Sequence, residues 1–126
     1  MSQEFTPPEL EKYYLVMLRA GDNAGDFTQE QLMDLQRGHL THLGNLARQG
    51  NLIAAGPFID APDNLRGISI LKANSVEEAQ ALVDADPAAQ AGRIRMEVIT
   101  WCVEKGALDP LVDALHARIQ AEKDNA

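Results

Sequence analysis

Residues 13–19 (Tyr-Tyr-Leu-Val-Met-Leu-Arg) are dominated by aromatic and apolar side chains, and the run ends in Ala20-Gly21-Asp22-Asn23-Ala24-Gly25-Asp26. This composition predicts a buried strand followed by a loop. Thr28 and Gln31 stand in the spacing of a capping box, in which each side chain satisfies an exposed backbone N–H of the other residue. Leu32, Leu35, Leu43 and Leu46 then recur at helical spacing as far as Gly50-Asn51, so a helix is expected over 29–49. Residues 51–58 read as a short strand whose regular pairing stops at Gly56-Pro57, because proline has no N–H to contribute. The turn-forming Asp60-Ala61-Pro62-Asp63-Asn64 leads into a third strand over 65–73 with Ile68 and Ile70 on one face, and the two strands form a hairpin. Ser75 and Glu78 suggest a second capping box, opening a helix with Ala79, Leu82 and Val83 on its apolar stripe and an end near Ala85. Residues 93–103 alternate, with Ile94, Met96, Val98, Thr100 and Cys102 on one face and Arg95, Glu97, Ile99, Trp101 and Val103 on the other, which is the pattern of a fourth strand.

The order strand, helix, strand, strand, helix, strand is the split βαβ, ferredoxin-like arrangement of an α+β fold, with both helices on one face of an antiparallel sheet. The opposite face then carries Ile99, Trp101, Val103 and one side of the first strand, too much apolar surface to leave in water. Two copies packing sheet to sheet would cover it and create an enclosed cavity between or beside the sheets, so a homodimer or higher homo-oligomer is expected. A further amphipathic helix follows, with Asp109 as N-cap, Pro110 at its first position and Leu111, Leu115 and Ile119 on one stripe. It lies beyond the basic fold and could clasp a partner subunit or support a larger assembly.

Composition narrows the function classes. With 126 residues, 45% hydrophobic and 24% charged, the chain suits one globular domain. Its longest apolar run, residues 13–18, falls far short of the roughly 20 residues that span a bilayer, and the first eight residues lack the basic and apolar regions of a secretory leader. A cytoplasmic protein without membrane contact is expected. A net charge of −8, with Arg19, Arg37, Arg48 and Arg66 scattered singly, disfavours nucleic-acid partners. The single cysteine, Cys102, cannot form an internal disulfide and reads as a small hydrophobe within the fourth strand.

His39 carries most of the chemical information. At about 100° per residue it falls near the centre of the leucine stripe of the first helix, so a titratable ring faces inward. Such a ring can be a satisfied core histidine or a functional group. Asp86, in Asp84-Ala85-Asp86-Pro87 just after the second helix, is held out of the helical region by Pro87 and reads as the N-cap of the turn Pro87-Ala88-Ala89-Gln90. In this fold the middle of helix one and the end of helix two can meet, and a carboxylate bonded to one imidazole nitrogen leaves the other available as general base or acid. His42 lies about 60° further round the helix and is expected as a polar neighbour at a pocket rim; the His-x-x-His pair lacks further ligands to make a metal site. Gly56, Pro57 and Phe58 could form one wall of a ligand pocket or simply a turn. Trp101, Tyr13 and Tyr14 fit core or interface better than a cavity lining, and His116 reads as a surface residue.

Several strings combine in order: Gly38-His39-Leu40-Thr41-His42-Leu43, Leu46, Gly50, Leu52, Ala55-Gly56-Pro57, Gly67, Ser75-Val76-Glu77-Glu78-Ala79 and Asp84-Ala85-Asp86-Pro87. From Tyr13 to about Trp101 this succession resembles the YciI/YCII-related family. The resemblance implies a ferredoxin-like dimeric α+β barrel over 13–104, with residues 1–12 as an N-terminal extension and 105–126 as a C-terminal helical extension outside the minimal pattern. It also implies a catalytic pair that falls on His39 and Asp86, and for a few relatives dehydrochlorination or related lyase chemistry on chlorinated or hydroxylated rings. The expectation is therefore an enzyme with no metal and no cofactor, of lyase, dehydrochlorinase or isomerase type, acting on a small cyclic or aromatic molecule through His39 and Asp86, with His42, Gly56, Pro57 and Phe58 around the substrate. The alternatives are a non-catalytic small-molecule-binding protein, a haem-handling protein and a purely structural role. No phosphate loop, nucleophile elbow or CxxC motif competes with these readings.

Overall fold

The computed structural model describes residues 4–126; the expectation of no leader peptide rests in part on residues 1–3, which lie outside the described residues. Strands β1 (Leu10–Ala20), β2 (Leu52–Pro57), β3 (Leu65–Leu71) and β4 (Ile94–Glu104) alternate with helices α1 (Gln29–Arg48), α2 (Val76–Asp84) and the single turn α3 (Pro87–Gln90), and α4 (Asp109–Asp124) closes the chain. The strands form one sheet in the order β2-β3-β1-β4, every neighbouring pair antiparallel, which is the ferredoxin-like α+β architecture.

Local chemistry sets the element ends. Thr28 and Gln31 close a full capping box at the start of α1. At its other end the Asn51 N–H reaches the Leu46 carbonyl (2.9 Å) and the Gly50 N–H the Ala47 carbonyl (3.0 Å), with Gly50 at φ +85° supplying the left-handed turn that this double bond requires. Only half of the second box forms. Ser75 Oγ accepts from the Glu78 N–H, but the Glu78 carboxylate turns to the Asn74 side-chain amide and backbone N–H. β1 starts three residues before the aromatic run, because Leu10, Glu11 and Lys12 pair with Glu104, Val103 and Cys102. Pairing of β2 continues through Pro57, opposite Gly67, contrary to the expected stop. β2 is an edge strand, where a proline nitrogen turned to the open side interrupts no ladder bond, and the next residue, Phe58, donates to the Arg66 carbonyl at 2.8 Å.

The helix-facing core joins Tyr14 and Val16 of β1, Leu71 of β3 and Met96 of β4 to Leu46 of α1 and Ala79 and Val83 of α2. A second cluster forms on the opposite face of the sheet, where Val112 and Leu115 of α4 cover Tyr13, Ile53 and Val103. α4 thus lies on the chain's own sheet and buries part of the surface that had suggested a partner; Ile99 and Trp101 stay 51% and 38% exposed. Its buried stripe is Val112, Leu115 and Ile119, not Leu111, and its N-cap is Leu108, with Asp109 already in the first turn. Cys102 is exposed. It is paired with Lys12 near the end of the sheet, and the helix-facing core on its own side of the sheet does not reach it, so this small residue of the alternating strand is not buried. Among the described residues no helix is long and apolar enough to cross a membrane.

Candidate functional site

The N-terminal half of α1 stands away from the sheet. Leu46, near its C-terminal end, is its one fully buried residue, whereas Leu32, Leu35 and Leu43 of the same stripe line a cavity of about 660 Å³ between α1 and the sheet. That volume falls within the roughly 300–1,000 Å³ of small-molecule pockets. The cavity is built within one chain, on the helix-bearing face of the sheet. Its floor includes Leu18 and Ser69 from the sheet, and Gly56, Pro57 and Phe58 form its wall along the β2 edge.

His39 and Asp86 meet at this cavity. Asp86 follows α2 and has no solvent exposure; its Oδ1 accepts the Ala88 N–H at 2.8 Å, capping α3, while its Oδ2 lies 2.5 Å from His39 Nδ1. The cap and the histidine contact therefore use different oxygens of one carboxylate. Burial alone would push the Asp86 carboxyl up, but the His39 hydrogen bond, the Ala88 N–H and the nearby His39 and His42 rings together hold it below its ordinary value. An ionised carboxylate only accepts, so His39 Nδ1 carries the proton and donates it. The unprotonated nitrogen of the neutral ring is then Nε2. It makes no hydrogen bond among the described residues, and because no buried side-chain nitrogen or oxygen there lacks a partner, Nε2 has solvent access.

Local sequence makes this approach feasible. Gly38 lies against Pro87, and a Cβ at Gly38 would stand 3.2 Å from Pro87 Cγ and 3.3 Å from Pro87 Cβ. The absence of a side chain lets α1 sit close enough to α3 for the next residue, His39, to reach Asp86. Helical periodicity gives no sign of this role for Gly38; its place immediately before His39 is the usable signal.

His42 also lines the cavity, but its Nε2–H donates to the Leu82 carbonyl at 2.7 Å, tying α1 to α2. The two histidines thus have separate partners, and among the described residues no group of three or more histidine, cysteine, aspartate or glutamate side chains is placed to hold a metal ion. His116 is exposed on α4. Tyr13 and Tyr14 are buried on opposite sheet faces, and neither they nor Trp101 line the cavity.

No curated protein matches the chain. Among solved structures it is similar to the 5-chloro-2-hydroxyhydroquinone dehydrochlorinase of Burkholderia phenoliruptrix AC1100 in complex with 2,5-dihydroxybenzoquinone, at 22% identity and a TM-score of 0.53, over 71% of this chain and 92% of that one. At that identity the likeness is one of fold. The model of the YCII-related domain matches residues 13–102, a span that runs from the first buried tyrosine through the His39–Asp86 pair into β4, and the chain belongs to that family.

Proposed function

We propose that the chain is an acid–base enzyme of the lyase or isomerase type whose substrate is a small cyclic or aromatic molecule, with His39 as the base and Asp86 as the group that orients it. The observation that carries this reading is the buried Asp86 carboxylate bonded to His39 Nδ1 at the wall of a cavity, leaving Nε2 without a partner among the described residues. In the reaction, Nε2 takes a proton from an acidic O–H or C–H of the ring. In the keto tautomer of such a ring a proton has moved from oxygen to the carbon that bears the leaving group, making it tetrahedral; the electron pair freed by Nε2 then moves through the conjugated system and expels the leaving group, such as chloride, from that carbon, and the proton and the leaving group depart as one equivalent of acid. Return of the proton to a different carbon gives isomerisation instead. Asp86 stabilises the imidazolium formed in between. The dehydrochlorinase of the same fold supports testing hydrogen chloride loss first.

The test is chloride release from 5-chloro-2-hydroxyhydroquinone and related halogenated hydroquinones, followed with an ion-selective electrode. Release by the wild-type chain that disappears in His39→Gln, with the circular dichroism spectrum retained, is expected. Equal release by the variant would refute the assigned base, and ligand bound but recovered unchanged by the wild-type chain would favour a binding protein without chemistry.

We also propose a homodimer. Ile99 and Trp101 remain exposed on the outer sheet face, beside the half-buried Leu15 and Met17, and a second copy supplies a matching apolar strip about a two-fold axis. Sedimentation equilibrium should give twice the chain mass for the wild type and one chain mass for Trp101→Lys; a wild-type monomer would remove the proposal.

A further inference from the structure

The chain carries 19 acidic and 11 basic residues, yet the cavity wall reverses that balance. Among the described residues Asp86 is the one acid that lines it, already bonded to His39, while Arg66 and Arg93 both line it. Arg19, Arg37 and Arg95 each pair with a carboxylate, but among the described residues neither Arg66 nor Arg93 does. Both guanidinium groups are instead anchored on backbone carbonyls. Arg93 Nη1 donates to the Ala24 carbonyl at 2.6 Å, and Arg66 Nη1 donates to the carbonyls of Asp63 and Leu65 at 3.2 and 3.3 Å. Neutral carbonyl partners hold the side chains in place and leave their charge uncompensated.

The fold puts each arginine there by a specific device. On β3, Leu18 of β1 pairs with Gly67 and Arg19 with Leu65, so Arg66 is the extra residue of a bulge. The bulge breaks the face alternation of β3 at Arg66, and Arg66 lines the cavity at this end of the strand together with Ile68 and Gly67. Arg93 is coupled directly to the histidine–aspartate pair. Its backbone N–H bonds the Ala88 carbonyl at 3.0 Å, and the Ala88 N–H bonds Asp86 at 2.8 Å. Its carbonyl accepts the Gly21 N–H at 2.9 Å, fixing it to the end of β1.

We infer that the cavity selects an anion: a small ring bearing an ionised oxygen, carboxylate or acidic hydroxyl, whose charge is met by Arg93 and Arg66 while His39 faces the atom that gives up a proton. This rests on the reading of the cavity as a substrate site and adds the charge state of what enters it. Arg66 is exposed and Arg93 half-buried, so Arg93 is the guanidinium that separates an ionised ligand from a neutral one of the same shape: a neutral ligand seated against it displaces water without matching its charge.

The test uses two probes of equal size, benzoate and benzamide, titrated at low salt into the 15N-labelled protein while the amide resonances of α1, β2 and α3 are followed. Wild-type protein should bind benzoate at least fivefold more tightly than benzamide, with the preference shrinking as salt is added. Arg93→Gln should bring the two probes to similar affinity, and Arg93→Lys, which keeps the charge, should preserve most of the preference. Benzamide binding as tightly as benzoate in the wild type, neither probe binding it, or a preference that survives Arg93→Gln together with Arg66→Gln, would overturn the inference. The outcome is separable from the catalytic reading: loss of the assigned base role in His39→Gln leaves the charge preference intact, whereas loss of the charge preference leaves chloride release measurable.

Discussion

Exchanging Asp86 for asparagine keeps the size of the side chain and removes its charge, and the two hydrogen bonds of the carboxylate determine what must follow. Oδ1 accepts from the Ala88 N–H at 2.8 Å and Oδ2 from His39 Nδ1 at 2.5 Å. An amide offers one acceptor and one donor, so only one of these bonds can survive unchanged. With the amide oxygen towards His39, the NH2 group faces the Ala88 N–H in a fully buried position; the two donors left unpaired there cost about 1–3 kcal/mol each, the Ala88 N–H being the lost cap of α3. With the oxygen towards Ala88, the cap survives and the NH2 group faces His39 Nδ1. The imidazole then accepts at Nδ1 and carries its proton on Nε2, which leaves no buried group unpaired.

The second arrangement is favoured by these magnitudes, and it turns the cavity-facing nitrogen from an acceptor into a donor. General base catalysis contributes about 10²–10⁴-fold, and a loss of that size in turnover is expected for Asp86→Asn with the fold retained. The direct assay is long-range 1H–15N correlation of the histidine rings, which distinguishes the two neutral tautomers. Wild-type His39 should show Nδ1–H and the variant Nε2–H. A variant that keeps the Nδ1–H tautomer, or that turns over at the wild-type rate, would refute the orienting role of Asp86.

Two further outcomes follow from the same geometry. Asp86 is held below its ordinary carboxylate value of 3.8, so its ionised form is the one the native state prefers; its stabilising contribution should be complete above that value and be lost as the pH falls below it, and urea unfolding of wild type and Asp86→Asn at a series of pH values should show the stability gap closing in acid. Gly38→Ala places a methyl group 3.2 Å from Pro87 Cγ and should displace α1 by a few tenths of an ångström, while alanine favours the helix by about 1 kcal/mol. The expected signature is a melting temperature that does not fall, combined with a weakened downfield His39 Nδ1–H signal and a turnover loss below about 100-fold; an unchanged signal and rate would show that the close approach is dispensable.

Much of this arrangement could be read in the sequence, because the forces that set it act over short distances. Periodicity located every strand and helix of the ferredoxin-like order, the Thr28–Gln31 box marked the start of α1, and the Asp86-Pro87 pair marked a carboxylate with a fixed direction. Features that depend on a partner across the fold were not visible. The bulge at Arg66 exists only in the register between β1 and β3, and the choice of Val112 over Leu111 as the buried face of α4 depends on where that helix lands on the sheet. The cavity itself is the clearest case. Hydrophobic spacing shows that Leu32, Leu35, Leu43 and Leu46 must leave water, but the same stripe satisfies that demand by packing on protein or by enclosing a ligand, and only Leu46 does so by full burial. A histidine in the middle of that stripe breaks the symmetry between the two outcomes. Its ring has two nitrogens and Asp86 satisfies one, so a core sealed around His39 would bury the other without a partner, at a cost that an open cavity avoids.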